Sequence, residues 1–113
     1  MKIAVATNEN GFLEDKVASH FGRAKSFLIY NTETKDFEIH LNPEVTGKTE
    51  FPPDFLYRQK VEVVIVFGLG YMAYKKFENY NIKMYKADKR TIAENLQKFE
   101  DNKLKELTEK CIF

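Results

Sequence analysis

Short apolar runs alternate with polar stretches along the whole chain, and each run predicts one element of an α/β fold. The opening residues, MKIAVAT, predict a buried strand. Its side chains divide between two faces, with Ile3 and Val5 on one and Ala4 and Ala6 on the other. Strands that are buried on both faces belong inside a sheet that is covered by helices.

Two runs rich in β-forming residues follow, SFLIYN and DFEIHL, and they are close enough to pair as an antiparallel hairpin. In the second run Phe37, Ile39 and Leu41 alternate with Glu38 and His40. This alternation is typical of a strand with one face in water. The segment 37–41 is therefore predicted to lie at a sheet edge.

The second half of the chain alternates helices with strands. Prolines 52 and 53 suit the first turn of a helix that continues to about Lys60. The most apolar run, Val61–Phe67, predicts a central strand, and Gly70 opens a helix through about Tyr80.

The strand IKMYKA comes next, with Ile82, Met84 and Ala87 facing inward. Thr91 and Glu94 match a capping box, which predicts a helix starting near Thr91. Further leucines at 104 and 107 extend this prediction by another helical turn or two.

This order predicts one domain over residues 1–113, a three-layer α/β fold on a mixed five-stranded sheet. The hairpin supplies an antiparallel strand, and the helical crossovers supply parallel neighbours. A chain of this length buries a core without disulfides or a structural metal.

Charge and cysteine content narrow the functional classes. The net charge is +1, with 18 basic and 17 acidic residues, so no overall field draws the chain to nucleic acid or an anionic membrane. The single cysteine, Cys111, cannot form an internal disulfide and is expected to be a bland, partly buried thiol. With no signal segment and no membrane-spanning apolar run, we expect a cytoplasmic protein.

Two loops follow strands that are expected to be neighbours, and they form the candidate site. After the first strand, SHFGRA gathers His20, Phe21, Gly22 and Arg23 in one short loop. After the central strand, GLG offers glycines whose backbone can approach an anion. Ligands in open α/β sheets collect at such carboxyl ends, so both loops are predicted to face one crevice.

The same residues also suit purely structural roles in which no ligand is bound. His20 would then only cap a turn, Arg23 would pair with Glu14 or Asp15, and the GLG turn would bind nothing. The loop 12–24 has few aliphatic anchors, which predicts that it is more mobile than the strands that it joins. Catalysis is not expected, because the first strand carries no acidic residue and no nucleophile lies beside a base.

Four segments together carry a family resemblance: MKIAVAT, VASHFGRAKSFLIYN, VEVVIVFGLGYMAY and IKMYKADKRTIAENLQKF. They resemble the small single-domain proteins of the dinitrogenase iron-molybdenum cofactor family. That family includes the NifX and NafY proteins and the C-terminal domain of NifB. The resemblance implies a ribonuclease-H-like fold without the nuclease carboxylates.

The resemblance also implies a function. It suggests a non-enzymatic carrier that transiently binds an iron-sulfur or iron-molybdenum cluster, or its precursor, for assembly or acceptor proteins. His20 would be the metal ligand and Arg23 the charge partner, with Phe21 and Gly22 in the contact loop. Gly68 and Gly70 would supply backbone donors.

This chain departs from many relatives at two places. The stretch NPEVTGKTEFPPDF has one glycine and no histidine, where many relatives carry a histidine- and glycine-rich loop. Tyr71 and Met72 follow Gly70, at positions where relatives often have a proline or an arginine. Two alternatives therefore stand beside the carrier: a small-anion or nucleotide-binding regulatory module, and a protein-interaction domain with a vestigial site. We expect no nucleic acid or membrane partner, and a monomer or weak homodimer.

Overall fold

The computed structural model of the protein describes residues 1–108. Within this range the strands and helices follow one another in the order that the sequence predicted. The environment predicted for Cys111 lies outside the described residues. The elements are β1 (Lys2–Thr7), a 3-10 turn (Phe21–Arg23), β2 (Ser26–Asn31), β3 (Phe37–Leu41), α1 (Pro52–Arg58), β4 (Val63–Val66), α2 (Tyr71–Asn79), β5 (Lys83–Lys86) and α3 (Ile92–Glu100).

The strands form one mixed sheet in the order β3-β2-β1-β4-β5. β1 pairs antiparallel with β2 and parallel with β4, and β4 pairs parallel with β5. The prediction that β3 lies at an edge is confirmed. The prediction that the apolar run of β4 is the central strand is wrong, because the hairpin adds two strands beyond β1 and leaves β1 in the middle.

The sheet divides the core into two layers. Ala4 and Ala6 face a cluster that includes Leu56 of α1 and Phe77 of α2, whereas Ile3 packs on the other face with residues of α3. The division of β1 side chains between two faces is therefore as predicted. Helices on both faces make this a three-layer α/β domain.

Local sequence signals explain where the helices start. α1 carries proline at its first positions, and α2 begins after Gly70. At α3 the Thr91 side chain accepts the N–H of Glu94, and the Glu94 carboxylate accepts the N–H of Thr91. This reciprocal capping box confirms the predicted start of α3.

The segment after α3 does not continue the helix, so the prediction of further helical turns is wrong. Asn102 has φ of 58°, a left-handed conformation that ends the helix. The chain then runs beside β5, where Leu107 donates its N–H to the Met84 carbonyl at 2.9 Å and Lys86 donates to Lys105 at 2.8 Å. Backbone pairing with β5 therefore takes the place of the helical hydrogen bonds that the sequence predicted for this segment.

The loop between β1 and β2 is better anchored than the sequence indicated. Val17, Ala18 and Ala24 are all buried. Val17 also donates its N–H to the Arg90 carbonyl at 3.0 Å, which ties the loop to the start of α3. The few aliphatic residues of this loop are therefore well anchored, and its greater mobility stays a prediction.

No helix within residues 1–108 is long and apolar enough to cross a membrane.

Candidate functional site

The two predicted loops touch at the carboxyl ends of β1 and β4. The N–H of Phe21 donates to the carbonyl oxygen of Gly68 at 3.4 Å. β1 and β4 are parallel neighbours, so the segments that follow them leave the sheet at the same edge. Strand order therefore brings the 3-10 turn and the GLG turn together.

Phe21 anchors the 3-10 turn in the core. Its ring is 2% exposed and lies 4.9 Å from the ring of Phe27 and 5.7 Å from that of Phe77, centroid to centroid. The two neighbours come from β2 and α2. Burial of the ring fixes the turn, so that the residues on either side of it point to solvent.

His20 and Arg23 flank this anchor, and both side chains are exposed. His20 occupies the N-cap position of the turn but makes no capping hydrogen bond with its side chain. Arg23 forms no ion pair with any carboxylate of residues 1–108. The structural roles considered for these two residues are therefore not the ones that they adopt.

Asp15, one of the two carboxylates that the sequence offered as an ion-pair partner of Arg23, instead accepts hydrogen bonds from the end of β1 and from its own loop. It is buried, and it accepts hydrogen bonds from the Thr7 hydroxyl at 3.0 Å and from the Gly11 N–H at 2.6 Å. These contacts close the turn that follows β1. Asp15 therefore organises the backbone and is not available to neutralise Arg23.

Asn42 supports the site loop, although its sequence context does not mark it as a site residue. Its fully buried amide donates to the carbonyls of Gly22 at 3.0 Å and Ala24 at 2.9 Å, and its oxygen accepts from the N–H of Glu44 at 3.0 Å. The Asn42-Pro43 dipeptide indicates a turn. A turn signal alone does not reveal a contact with a loop 20 positions away.

An apolar cavity of about 250 Å³ opens beside the 3-10 turn. Met72 and Phe51 at this cavity are 78% and 53% exposed, so apolar surface continues from the cavity to the solvent. We call this space the apolar cavity. It is lined by Phe21, Gly22, Glu44, Phe51, Pro52, Pro53, Met72, Ala73 and Lys76.

An ion pair joins the two helices beside the apolar cavity. The Lys76 ammonium lies 2.8 Å from a carboxylate oxygen of Asp54 and 5.2 Å from the centre of the Phe51 ring. The other oxygen of Asp54 accepts a hydrogen bond from the Tyr80 hydroxyl. The hydrogen bond from Lys76, followed by that from Tyr80, lowers the pKa of the Asp54 carboxyl below its ordinary value.

The predicted site residues therefore divide into distinct positions. Gly22 lines the apolar cavity, Gly68 is buried against the 3-10 turn, and Gly70 is the exposed N-cap of α2. Residues 1–108 contain no cluster of three or more His, Cys, Asp or Glu side chains that would hold a metal ion. A metal that contacts His20 would therefore have to bring most of its other ligands with it.

Sequence comparison assigns the family. The profile of the family described as "Dinitrogenase iron-molybdenum cofactor" matches residues 1–102, nearly the whole chain. The chain belongs to this family. A protein of Methanocaldococcus jannaschii whose function is uncharacterised is 31% identical over 110 residues, which span 92% of this chain and 89% of that protein.

Solved structures of similar proteins have the same fold. The apo form of the orange protein from Desulfovibrio gigas superposes with a TM-score of 0.84 at 21% identity, covering 95% of this chain and 92% of that one. A Thermotoga protein provisionally named NifB gives a TM-score of 0.79 at 26% identity, covering 95% of this chain and 93% of that one. The fold is thus shared with these two proteins over almost the full length of each chain.

Proposed function

We propose that this protein is a non-enzymatic carrier for an iron-sulfur or iron-molybdenum type cluster or its precursor. The contact between Phe21 and Gly68 carries the proposal, because it brings the SHFGRA loop and the GLG turn of a dinitrogenase iron-molybdenum cofactor family member to one edge. The cluster is cargo, which the protein receives from and passes to assembly or acceptor proteins.

His20 and Arg23 are the side chains that we assign to the cargo. A neutral imidazole nitrogen is a good ligand for iron, and a guanidinium is a permanent positive charge that attracts an anionic cluster. Neither side chain is engaged with a carboxylate of the described chain. Both are therefore free to bind without first breaking an internal contact.

The apolar cavity lies beside the 3-10 turn and offers an apolar surface for the sulfide atoms of a cluster. Exposure to solvent and hydrogen bonding to the sulfurs strongly affect the properties of a cluster, and an apolar shell limits both. Phe21 and Gly22 join the cavity to the contact loop, and Met72 lies at its exposed side. We propose that one face of the cluster rests there while His20 and Arg23 contact another.

The GLG turn adds backbone donors. Gly70 precedes α2 and makes no side-chain cap, and the first N–H groups of a helix lack partners within the helix. Such groups favour anions. Gly70 also has nothing within 4 Å of the position that a Cβ would take, so a bulky ligand has room to approach.

We further propose that the fold has the ribonuclease-H-like motif. The strand order β3-β2-β1-β4-β5, with an antiparallel hairpin on one side and parallel crossovers on the other, supports this assignment. β1 carries Ala4, Val5 and Ala6 where a metal-dependent nuclease needs a carboxylate. The absence of an acidic residue on β1 supports a binding role without catalysis.

The decisive experiment is an anaerobic titration of the purified protein with a thiolate-ligated iron-sulfur cluster and, separately, with tetrathiomolybdate, followed by visible absorbance. We expect His20→Ala to weaken binding at least about tenfold, which corresponds to loss of one metal-ligand contact. Arg23→Ala should weaken binding less and reduce its dependence on salt, because a screened charge is removed.

The matched control is His40→Ala, which removes a histidine from β3 that is paired with Glu38 at 3.0 Å. This variant should bind both probes as the wild type does. Equal affinity of wild type and His20→Ala would remove His20 from the site. Failure of every form to bind either probe would overturn the carrier proposal.

The unpaired Arg23 also favours a second candidate, a regulatory module that binds a small anion or nucleotide without metal. Under this alternative, Arg23→Ala abolishes binding of inorganic phosphate or a nucleotide, and His20→Ala has little effect. Isothermal titration with these probes in metal-free buffer distinguishes the two candidates, since the carrier requires His20.

A further inference from the structure

β3 has a free backbone edge whose outward groups can be identified from its pairing with β2. Asn31 donates to the Asp36 carbonyl at 2.9 Å, and Asn42 donates to the Lys25 carbonyl at 2.9 Å. Hydrogen-bonded pairs alternate along an antiparallel ladder, so the even-numbered residues from 36 to 42 pair with β2. The N–H and C=O groups of Phe37, Ile39 and Leu41 therefore point away from the sheet.

Two features that often protect a sheet edge, a proline and a bulge, are absent from β3 and from its register with β2. Within residues 1–108 no hydrogen bond joins the outward backbone groups to another part of the chain. The side chains of Ile39 and Leu41 are 39% and 55% exposed, and Phe12 is 56% exposed on the segment whose Gly11 contacts Ile39.

We propose that β3 pairs antiparallel with β3 of a second copy, about a two-fold axis at Ile39, to make one continuous sheet across a homodimer. In this register Ile39 faces Ile39 of the partner subunit, and Phe37 faces Leu41 of the partner subunit. These are the residues whose backbone groups point outward. Each pair exchanges two hydrogen bonds, so every outward group within β3 gains a partner.

Side-chain complementarity across the axis favours the same register. The pairing places Glu38 opposite His40 of the partner subunit, on the face of the sheet away from the apolar side chains. A shift of the axis to residue 38 would oppose two glutamates, and a shift to residue 40 would oppose two histidines. A carboxylate opposite an imidazole that donates a hydrogen bond to it stabilises a strand pair, and two carboxylates opposite each other destabilise it, so the sequence of β3 favours pairing about Ile39 over pairing about residue 38.

The proposal does not depend on the function of the SHFGRA loop. A strand pair alone buries less surface than a stable dimer interface, so we expect a dissociation constant in the micromolar range or weaker. Sedimentation velocity and light scattering over a range of protein concentrations should show the mass rising from 13.3 kDa toward twice that value. A monomer at every accessible concentration would overturn the proposal.

Ile39→Pro tests the edge directly. Its N–H is not used in the β2 ladder, so proline removes an intermolecular donor while the internal hydrogen bonds remain. We expect the dissociation constant to rise at least about tenfold, because hydrogen bonds are lost and the ring obstructs pairing. A dimer that persists unchanged in a folded Ile39→Pro protein would place the contact elsewhere and overturn the proposal.

Disulfide cross-linking tests the register of the two β3 strands independently of the Ile39→Pro variant. In a Cys111→Ser background, differently tagged Glu38→Cys and His40→Cys proteins are mixed and oxidised. Residues opposite each other in a non-hydrogen-bonded pair have Cα atoms about 4.5 Å apart, which suits a disulfide. We expect cross-links in the mixture and few in either protein alone.

Equal cross-linking in the separate proteins would contradict the register about Ile39. Cross-linking of neither the mixture nor the single proteins, at concentrations where the dimer is present, would place the contact away from β3. Pairing of β3 with a strand of a different protein would leave the purified chain monomeric, and so would also overturn the proposal of a homodimer.

Discussion

Asn42 donates a hydrogen bond from its buried side-chain amide to the carbonyl oxygen of Gly22 at 3.0 Å. The same amide group donates to the Ala24 carbonyl at 2.9 Å, so one side chain binds the backbone on both sides of Arg23. The position of Arg23 therefore depends on a residue that lies beyond β3 in the chain. This arrangement separates the residues that hold the site from those that we assign to the cargo.

Asn42→Ala should destabilise the protein by about 2–4 kcal/mol, because it removes two donors and one acceptor and leaves buried backbone groups unpaired. Urea unfolding checks this value. Asn8→Ala is the matched control, since the exposed Asn8 makes a single bond to the Lys25 N–H at 3.0 Å. Equal losses in the two variants would contradict the supporting role of Asn42.

Gly11 and Gly22 should respond oppositely to alanine. Gly11 has φ of +90°, and an added Cβ would lie 2.8 Å from a side-chain atom of Ile39, so Gly11→Ala should cost about 1–2 kcal/mol or more. Gly22 has open space around the same position, so Gly22→Ala should leave stability unchanged or raise it by up to about 1 kcal/mol.

Ligand binding gives the second readout for these glycines. Gly22 lines the apolar cavity, and an added Cβ would occupy space that is open in the protein, so Gly22→Ala should weaken cluster binding in a protein that is as stable as the wild type. Tighter or unchanged binding would indicate that the ligand does not approach Gly22.

Phe21→Ala should destabilise the protein by about 3–5 kcal/mol, because it empties a buried ring site between Phe27 and Phe77. Phe21→Leu keeps most of the volume and should cost less than about 1.5 kcal/mol. Chemical denaturation gives both values. If Phe21 acts through its position in the core, the leucine variant keeps its affinity for cargo. A folded Phe21→Leu protein that no longer binds would instead assign the ring a direct contact.

Asp54 should make stability depend on pH in the acid range. Lys76 and Tyr80 hold its pKa below the ordinary value of 3.8, so the unfolded chain binds more protons between the two values. The contribution is fully present above pH 3.8 and is lost as pH falls through the lowered pKa. Asp54→Asn should cost about 1 kcal/mol at neutral pH and progressively less below the ordinary value.

Denaturant unfolding of wild type and Asp54→Asn between neutral and acid pH measures this difference. Asp36→Asn is a control, because Asp36 is exposed and forms no ion pair with another described residue. A stability difference for Asp54→Asn that is constant with pH would show that the carboxylate charge is not what stabilises the junction of α1 and α2.

Local pattern was sufficient for most elements of the fold. The capping box of Thr91 and Glu94, the prolines of α1 and the glycine before α2 each act within a few residues, so the sequence alone placed these helix starts. The edge position of β3 followed from its alternation of apolar and polar residues, and the meeting of the SHFGRA and GLG loops followed from the order of strands and helices. These features need only periodicity, capping and the rules of strand connection.

Pairing between distant segments was decided by the tertiary structure. The leucines at 104 and 107 have helical spacing, but their backbone pairs with β5 instead. The alternation of β3 predicted that only one of its faces lies in water, yet Ile39 and Leu41, on the apolar face, are also exposed. Periodicity describes which side chains share a face and does not specify what covers that face.

The support of the candidate site was likewise visible only in three dimensions. His20, Arg23 and the glycines stand out in the sequence because their chemistry is unusual for a short loop. Asn42 and the apolar cavity do not, since a buried amide and a set of apolar residues resemble any turn or core until the segments meet. Burial and hydrogen bonding depend on the atoms that surround a group, and strand order and helix packing determine which atoms those are.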